Sequence, residues 1–161
     1  MKDQKNLPFS LFEAKQKLEY YCAYQERCHQ EVANKLYELK MSLDEADAVI
    51  VHLIEHNFLN EERFACSFAR GKHRIKHWGK IRIVNELKFK QISTYNINKA
   101  LLEFTADEYL ETFNNLANHQ WEIIRETNFL KKKKKFSDFM LRKGFESHLV
   151  FDKLKELTSD K

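Results

Sequence analysis

The stretch that most resembles catalytic machinery is His52-Leu-Ile-Glu55-His56, two imidazoles four residues apart with a carboxylate beside them. Positions i and i+4 share a helix face, so the pair could grip a metal ion in the manner of the inverted zinc-protease signature His-x-x-Glu-His. The same segment, however, carries Val49, Ile50, Leu53 and Ile54 as an apolar side, and no third ligand or cleft accompanies it. Cys22, Cys28, His29 and Cys66 are also zinc-type donors, but they lack the tight ligand pairs of structural sites. Three cysteines, odd in number and without Cys-x-x-Cys spacing, argue against a disulfide framework and for reduced thiols in a cytosol. No nucleophile motif and no glycine-rich nucleotide loop is present. The expectation is a protein that is not an enzyme, with no cofactor and no bound metal.

The remaining chemistry is cationic. Residues 63–90 carry nine Lys/Arg against one acidic residue, and 131–161 carry ten against five, whereas 1–62 and 91–130 are net acidic. Arg63, Arg70, Lys72, His73, Arg74, Lys76 and His77 surround an apolar stripe of Phe64, Phe68, Gly71 and Ile75, and Lys80, Arg82, Lys88 and Lys90 continue the charge. Lys131 to Lys135 form an unbroken run where a helix should begin, although cations there oppose the helix dipole. Segregated basic blocks suit a polyanion or an acidic protein face; the alternative is a solvated helix surface. Trp78, among these cations, could stack on a base or wedge a helix corner. Gly71, inside an apolar stripe, is expected to admit a close backbone neighbour.

These side chains must be held by helices. With Met41, Ile92 and Phe145 set in register, the positions nine before (Val32, Ile83, Phe136), five before (Leu36, Leu87, Met140), five after (Ala46, Ile97, Val150), nine after (Ile50, Leu101, Leu154) and twelve after (Leu53, Phe104, Leu157) are also apolar in all three copies. Their spacing marks one helix face before the register point and another after it. Ser42-Leu-Asp-Glu45, Ser10-Leu-Phe-Glu13 and Thr105-Ala-Asp-Glu108 are capping boxes. The latter two open helices near 11–26 and 106–128, and Asn60 caps another over about 61–76. The expectation is an all-α fold of three tandem three-helix repeats, 9–57, 58–104 (basic) and 105–159, stacked in an elongated, curved array.

Composition agrees. Three Gly and one Pro in 161 residues leave few positions for tight hairpins. The longest aliphatic run, Ala48-Val49-Ile50-Val51, is far below the roughly 20 residues of a membrane span. Met1-Lys2-Asp3-Gln4-Lys5-Asn6 leads into no apolar signal segment, so a cytoplasmic protein without membrane contact is expected.

Asn57-Phe-Leu-Asn-Glu-Glu-Arg-Phe-Ala65, Ser67-Phe68, Trp78-Gly79, Arg82-Ile83, Glu86-Leu87, Ile92-Ser93 and Ala100-Leu101 together resemble the signature of the RecX family, bacterial regulators of the recombinase RecA. Arg142-Lys143-Gly144-Phe145 matches the turn of the third repeat. The resemblance implies a protein that binds the RecA–DNA filament along its groove and limits filament extension, ATP hydrolysis and strand exchange. It implies RecA as partner, with weak, salt-dependent contact to single- and double-stranded DNA; a monomer is expected. Carried onto this chain, Arg70, Lys72, Arg74, Lys76, Lys80 and Arg82 are the expected contacts, with Lys131, Lys132 and Lys133 added from the lysine run on charge alone. Arg63, Phe64 and Trp78 are expected to hold the repeat together. Lys40 and Gln91 stand where the family often has Gly, so those two turns are expected to differ slightly. The rival reading is a general helical DNA-binding module acting without RecA; a third is a metal-dependent hydrolase built on His52 and His56.

Overall fold

A computed structural model describes residues 9–159; the N-terminal segment judged free of a signal sequence lies outside them. Among the described residues there are nine helices and no strand: α1 Leu11–Tyr24, α2 His29–Glu38, α3 Leu43–Glu55, α4 Glu61–Arg74, α5 Lys80–Phe89, α6 Thr94–Leu101, α7 Ala106–Ile123, α8 Phe129–Lys143 and α9 Ser147–Thr158. No helix among them is long and apolar enough to cross a membrane. They pack in triplets, with α1 on α3, α4 on α6 and α8 on α9 among the closest pairs. The side chains of Ser10, Ser42, Asn60, Ser93, Thr105 and Asn128 each accept an amide hydrogen bond at a helix start, which satisfies donors that the helix itself leaves unpaired.

Two apolar clusters result. Ala14, Leu18, Cys22, Val32, Leu36, Met41, Val49, Ile50, Leu53 and Leu59 form the core of the first triplet. The second and third triplets share one core, which runs from Phe64 and Ala65 through Ile83 and Leu87 to Phe136, Phe145 and Leu154. Cys28 is the first triplet's buried contribution to it.

Four expectations change. The buried face of α4 is Phe64, Ala65, Ala69 and His73, not the Phe64–Phe68–Gly71–Ile75 stripe; Ile75 is 74% exposed. Two alanines let α6 approach closely, so small residues rather than large ones mark the packed side. Gly71 consequently meets no neighbour, and a Cβ there would have nothing within 4 Å. The turns at Lys40 and Gln91 do not depart from the glycine version: Lys40 (φ 59°), Gln91 (φ 62°) and Gly144 (φ 97°) all adopt the left-handed conformation at equivalent positions. In each, the following amide reaches back to the carbonyl of Leu36, Leu87 or Met140, which terminates the helix in the same way. Finally, Leu101 is only half-buried, whereas the column one residue earlier, Val49, Ala100 and Lys153, is buried in all three copies.

The triplets are joined by a recurrent device. The first helix of each triplet, and the last helix of the first two, begin with a capping side chain, but α2 and α5 have none. The His29 amide instead donates to Glu61 Oε1 of the second triplet (3.1 Å). At α5 the Gly79 amide donates to the Lys143 carbonyl (2.7 Å) and the Ile81 amide to the Gly144 carbonyl (2.9 Å). The Lys80 amide donates to the Tyr109 hydroxyl (3.0 Å), which in turn donates to the Glu146 carboxylate. The carbonyl end of α8 thus closes the amide end of α5, so opposite dipole ends meet. Each of these two middle helices is capped by the triplet that follows it.

Candidate functional site

The basic helix α4 is oriented by Ala65, Ala69 and His73, which face α6 and the α6–α7 turn. His73 is fully buried and stacks on Phe104 (4.3 Å) and Tyr109 (5.3 Å). Its Nδ1 donates to the Trp78 carbonyl at 3.0 Å, while its Nε2 is buried without a partner among the described residues. Burial pushes its pKa below the ordinary value.

That orientation sends two of the expected contact residues into ion pairs within the chain. Arg70 bonds Glu103 and Arg74 bonds Glu108, each at 2.9 Å, and Arg74 also reaches the Glu103 carbonyl (3.4 Å). The Arg74 guanidinium beside Glu108 holds that carboxyl below its usual range. Arg63, expected to hold its own repeat together, instead ties the second triplet to the first through Glu26 (2.6 Å) and the carbonyls of Asn57 and Phe58.

The other four cations gather around the corner after α4. Trp78 is half-buried against the shared core with its ring edge-on to Phe68. The Arg82 guanidinium lies 4.0 Å over the indole and Lys72 Nζ lies 4.9 Å from it. Trp78 is therefore a corner wedge that also carries cations. Lys80 Nζ sits over the Tyr109 ring (4.7 Å). Arg82 Nη1 donates to the Arg142 carbonyl (3.3 Å), and Lys143 Nζ donates to the carbonyl of Lys76, whose side chain is exposed. Burial, followed by the nearby charges of Arg82 and Lys76, lowers the pKa of Lys143. Lys143 did not stand out in the sequence beyond its place in the turn motif; only the approach of Gly144 to Arg82 carries it to the basic corner.

The lysine run occupies the first half of α8 rather than a joint. Lys132 lies over Trp121 and Lys133 over Phe129. Lys134 pairs with Asp138 and Lys135 with Glu126, both at 2.9 Å. Lys131 is exposed, and its amide is bound by the Asn128 cap.

At the metal-like motif, His52 Nε2 bonds Glu19 at 2.6 Å and His56 Nδ1 bonds the His52 carbonyl at 2.9 Å. Among the described residues no group of three or more metal-type side chains converges. Burial raises the Cys22 thiol to about 11, so it stays protonated at neutral pH.

Comparison with known proteins adds the following. A family model described as RecX, second three-helix domain, matches residues 60–101. The Regulatory protein RecX of Bacillus cytotoxicus is 26% identical over 141 residues, 88% of this chain and 52% of the relative. That of Clostridium acetobutylicum is 29% identical over 138 residues, 83% of this chain and 64% of the relative. The chain thus spans about half the length of the first of these. Among solved structures, RecX from Lactobacillus salivarius superposes with a TM-score of 0.77 at 23% identity, covering 94% of this chain and 97% of that one. Another structure, of regulatory protein RecX, gives 0.78 at 22% identity and covers 94% of this chain and 73% of that one. At these identities the structural likeness speaks for the fold.

Proposed function

The chain belongs to the RecX family, and from that premise we propose that it is a non-enzymatic, monomeric modulator of the recombinase RecA. It acts in the cytoplasm by binding the RecA–DNA filament and limiting its extension, ATP hydrolysis and strand exchange. Three units, 9–57, 58–104 and 105–159, lie along the filament, and the second supplies most of the contact. The observation that carries this reading is a coincidence of position. The match to the RecX second domain, residues 60–101, falls on the triplet that holds the densest positive charge of the chain.

The structure refines which cations are available. Arg70 and Arg74 are compensated by Glu103 and Glu108, so Lys72, Lys76, Lys80 and Arg82 are the principal contacts, with Lys131, Lys132 and Lys133 as a second basic stretch. The test is DNA-dependent ATP hydrolysis by the cognate RecA on single-stranded DNA, titrated with this protein at moderate salt. Inhibition well below one protein per RecA protomer is expected. An effect only once the DNA itself is saturated would replace this reading with a DNA-binding module that competes for the strand.

A further inference from the structure

Four of the ten cations of the second triplet have a carboxylate. Arg63 has Glu26, Lys90 has Glu31, Arg70 has Glu103 and Arg74 has Glu108. The corner between the second and third triplets is different. Lys143 and Arg82 spend their side-chain hydrogen bonds on the backbone carbonyls of Lys76 and Arg142. Among the described residues no acidic side chain lies within ion-pair distance of Lys76, Arg82 or Lys143.

Nothing local requires this cluster. It is assembled by the Gly79–Gly144 approach, which carries a cation of α8 against α5 and the end of α4. Bringing like charges together is unfavourable, and the downward pull of Arg82 and Lys76 on the Lys143 ammonium reports that cost. Backbone carbonyls fix the directions of Arg82 and Lys143 but leave their charge uncompensated, and Lys72 stands beside them on the Trp78 ring.

We propose that Lys76, Arg82 and Lys143 form a phosphodiester seat for the backbone of a nucleic-acid strand, present only when the second and third triplets are locked together. A lone protein carboxylate would neutralise one of three charges. A single strand presents a phosphate about every 3.4 Å of helix axis in the duplex form, so a short stretch neutralises all three. The proposal deepens the reading above by naming the ligand at this corner, and it rests on that reading only for nucleic acid as the polyanion.

The test uses the full chain without RecA, and reads anisotropy of a fluorescein-labelled oligo-dT across a salt series. The Lys76→Gln/Lys143→Gln double variant should bind about tenfold or more weakly near 50 mM salt, with a log–log salt slope shallower by roughly 0.7 per charge removed. Lys143→Arg, which keeps the charge, should retain wild-type binding, and thermal melting should show that both variants are folded. An unchanged affinity and slope in the folded double variant would overturn the proposal, and so would a Lys143→Arg loss as large as that of Lys143→Gln. Unchanged DNA binding with lost inhibition of RecA would overturn it in favour of an acidic protein face. Because RecA is absent from the anisotropy arm, loss of slope there with no effect on RecA would leave the seat standing and remove the RecA reading instead.

Discussion

Gly79 and Gly144 lie back to back across the corner between α5 and α8, so close that a methyl group on Gly79 would collide with the Gly144 carbonyl and with the Phe145 amide. A methyl on Gly144 would strike Arg82, and the φ of 97° there already disfavours any L side chain. Both obstacles are backbone or backbone-proximal atoms that cannot swing away. Gly79→Ala is therefore expected to cost about 2–3 kcal/mol, read from urea unfolding of the full chain. Gly71→Ala, with open space around it, should instead stabilise by several tenths of a kcal/mol to about 1 kcal/mol.

The two non-glycine turns give the opposite expectation. Lys40 and Gln91 hold left-handed conformations that cost an L residue about 1 kcal/mol or more. Part of any gain from glycine is lost to the freer unfolded chain. Lys40→Gly and Gln91→Gly should each raise stability by about 0.5 kcal/mol, additively because they sit in different triplets. Thermal melts of the two single variants and the double variant check this.

His73 makes stability depend on pH. Burial lowers its folded pKa below the unfolded value of 6.5, with Arg74 and His77 adding to the lowering and Glu108 and the Trp78 carbonyl opposing it. The unfolded chain therefore takes the proton first as pH falls. This contribution to stability is complete above about pH 6.5 and is lost progressively as pH drops below it. His73→Phe keeps the stacking on Phe104 and Tyr109 and should flatten the wild-type decline between pH 6.5 and 5, measured by denaturant midpoints across that range.

Lys153 stands where the other triplets bury Val49 and Ala100, and among the described residues its ammonium reaches only the exposed Glu156 at 3.2 Å. Replacing a buried charge by a hydrophobe of similar reach is commonly neutral or favourable. Lys153→Leu is expected to stabilise by about 1 kcal/mol in urea unfolding. A loss of stability would mean that the site lacks room for a branched side chain.

Arg70 and Arg74 are already partnered, so neutralising them should matter less for function than neutralising Lys76 and Lys143. Arg70→Gln/Arg74→Gln is expected to reduce inhibition of RecA ATP hydrolysis several-fold less than Lys76→Gln/Lys143→Gln, at equal helicity by circular dichroism. Equal losses would return the two arginines to the contact surface.

Much of the fold was legible because it is written in periodic apolar residues. Val32, Ile83 and Phe136, and likewise Leu36, Leu87 and Met140, are fully buried at the repeat spacing. What stayed hidden was packing by unlike chemistry. Beyond Phe64 the buried face of α4 is made of Ala65, Ala69 and His73, and Lys153 breaks an otherwise apolar column. At the candidate site, the positive charge of residues 63–90 was plain, but its internal neutralisation was not. Glu103 and Glu108 lie 33 and 34 residues from the arginines they bind, and Lys143 lies 67 from the Lys76 carbonyl. Pairings at that range depend on how triplets are set against each other, which local periodicity does not encode.

The capping of α2 by Glu61 and of α5 by Lys143, Gly144 and Tyr109 gives the chain a direction. Both caps point toward the C-terminus: the earlier helix takes its cap from the later triplet. Trimming from the two ends is consequently unequal. Deletion of α1–α3 takes away Cys28 and the carboxylates of Glu26 and Glu31 but leaves the caps of α5 in place. Deletion of α7–α9 strips three amides at the head of α5 of their acceptors and opens the shared core. A ribosome releasing this chain would therefore have made α5 before the groups that complete it existed, so the second triplet reaches its finished form only after the third has followed it out.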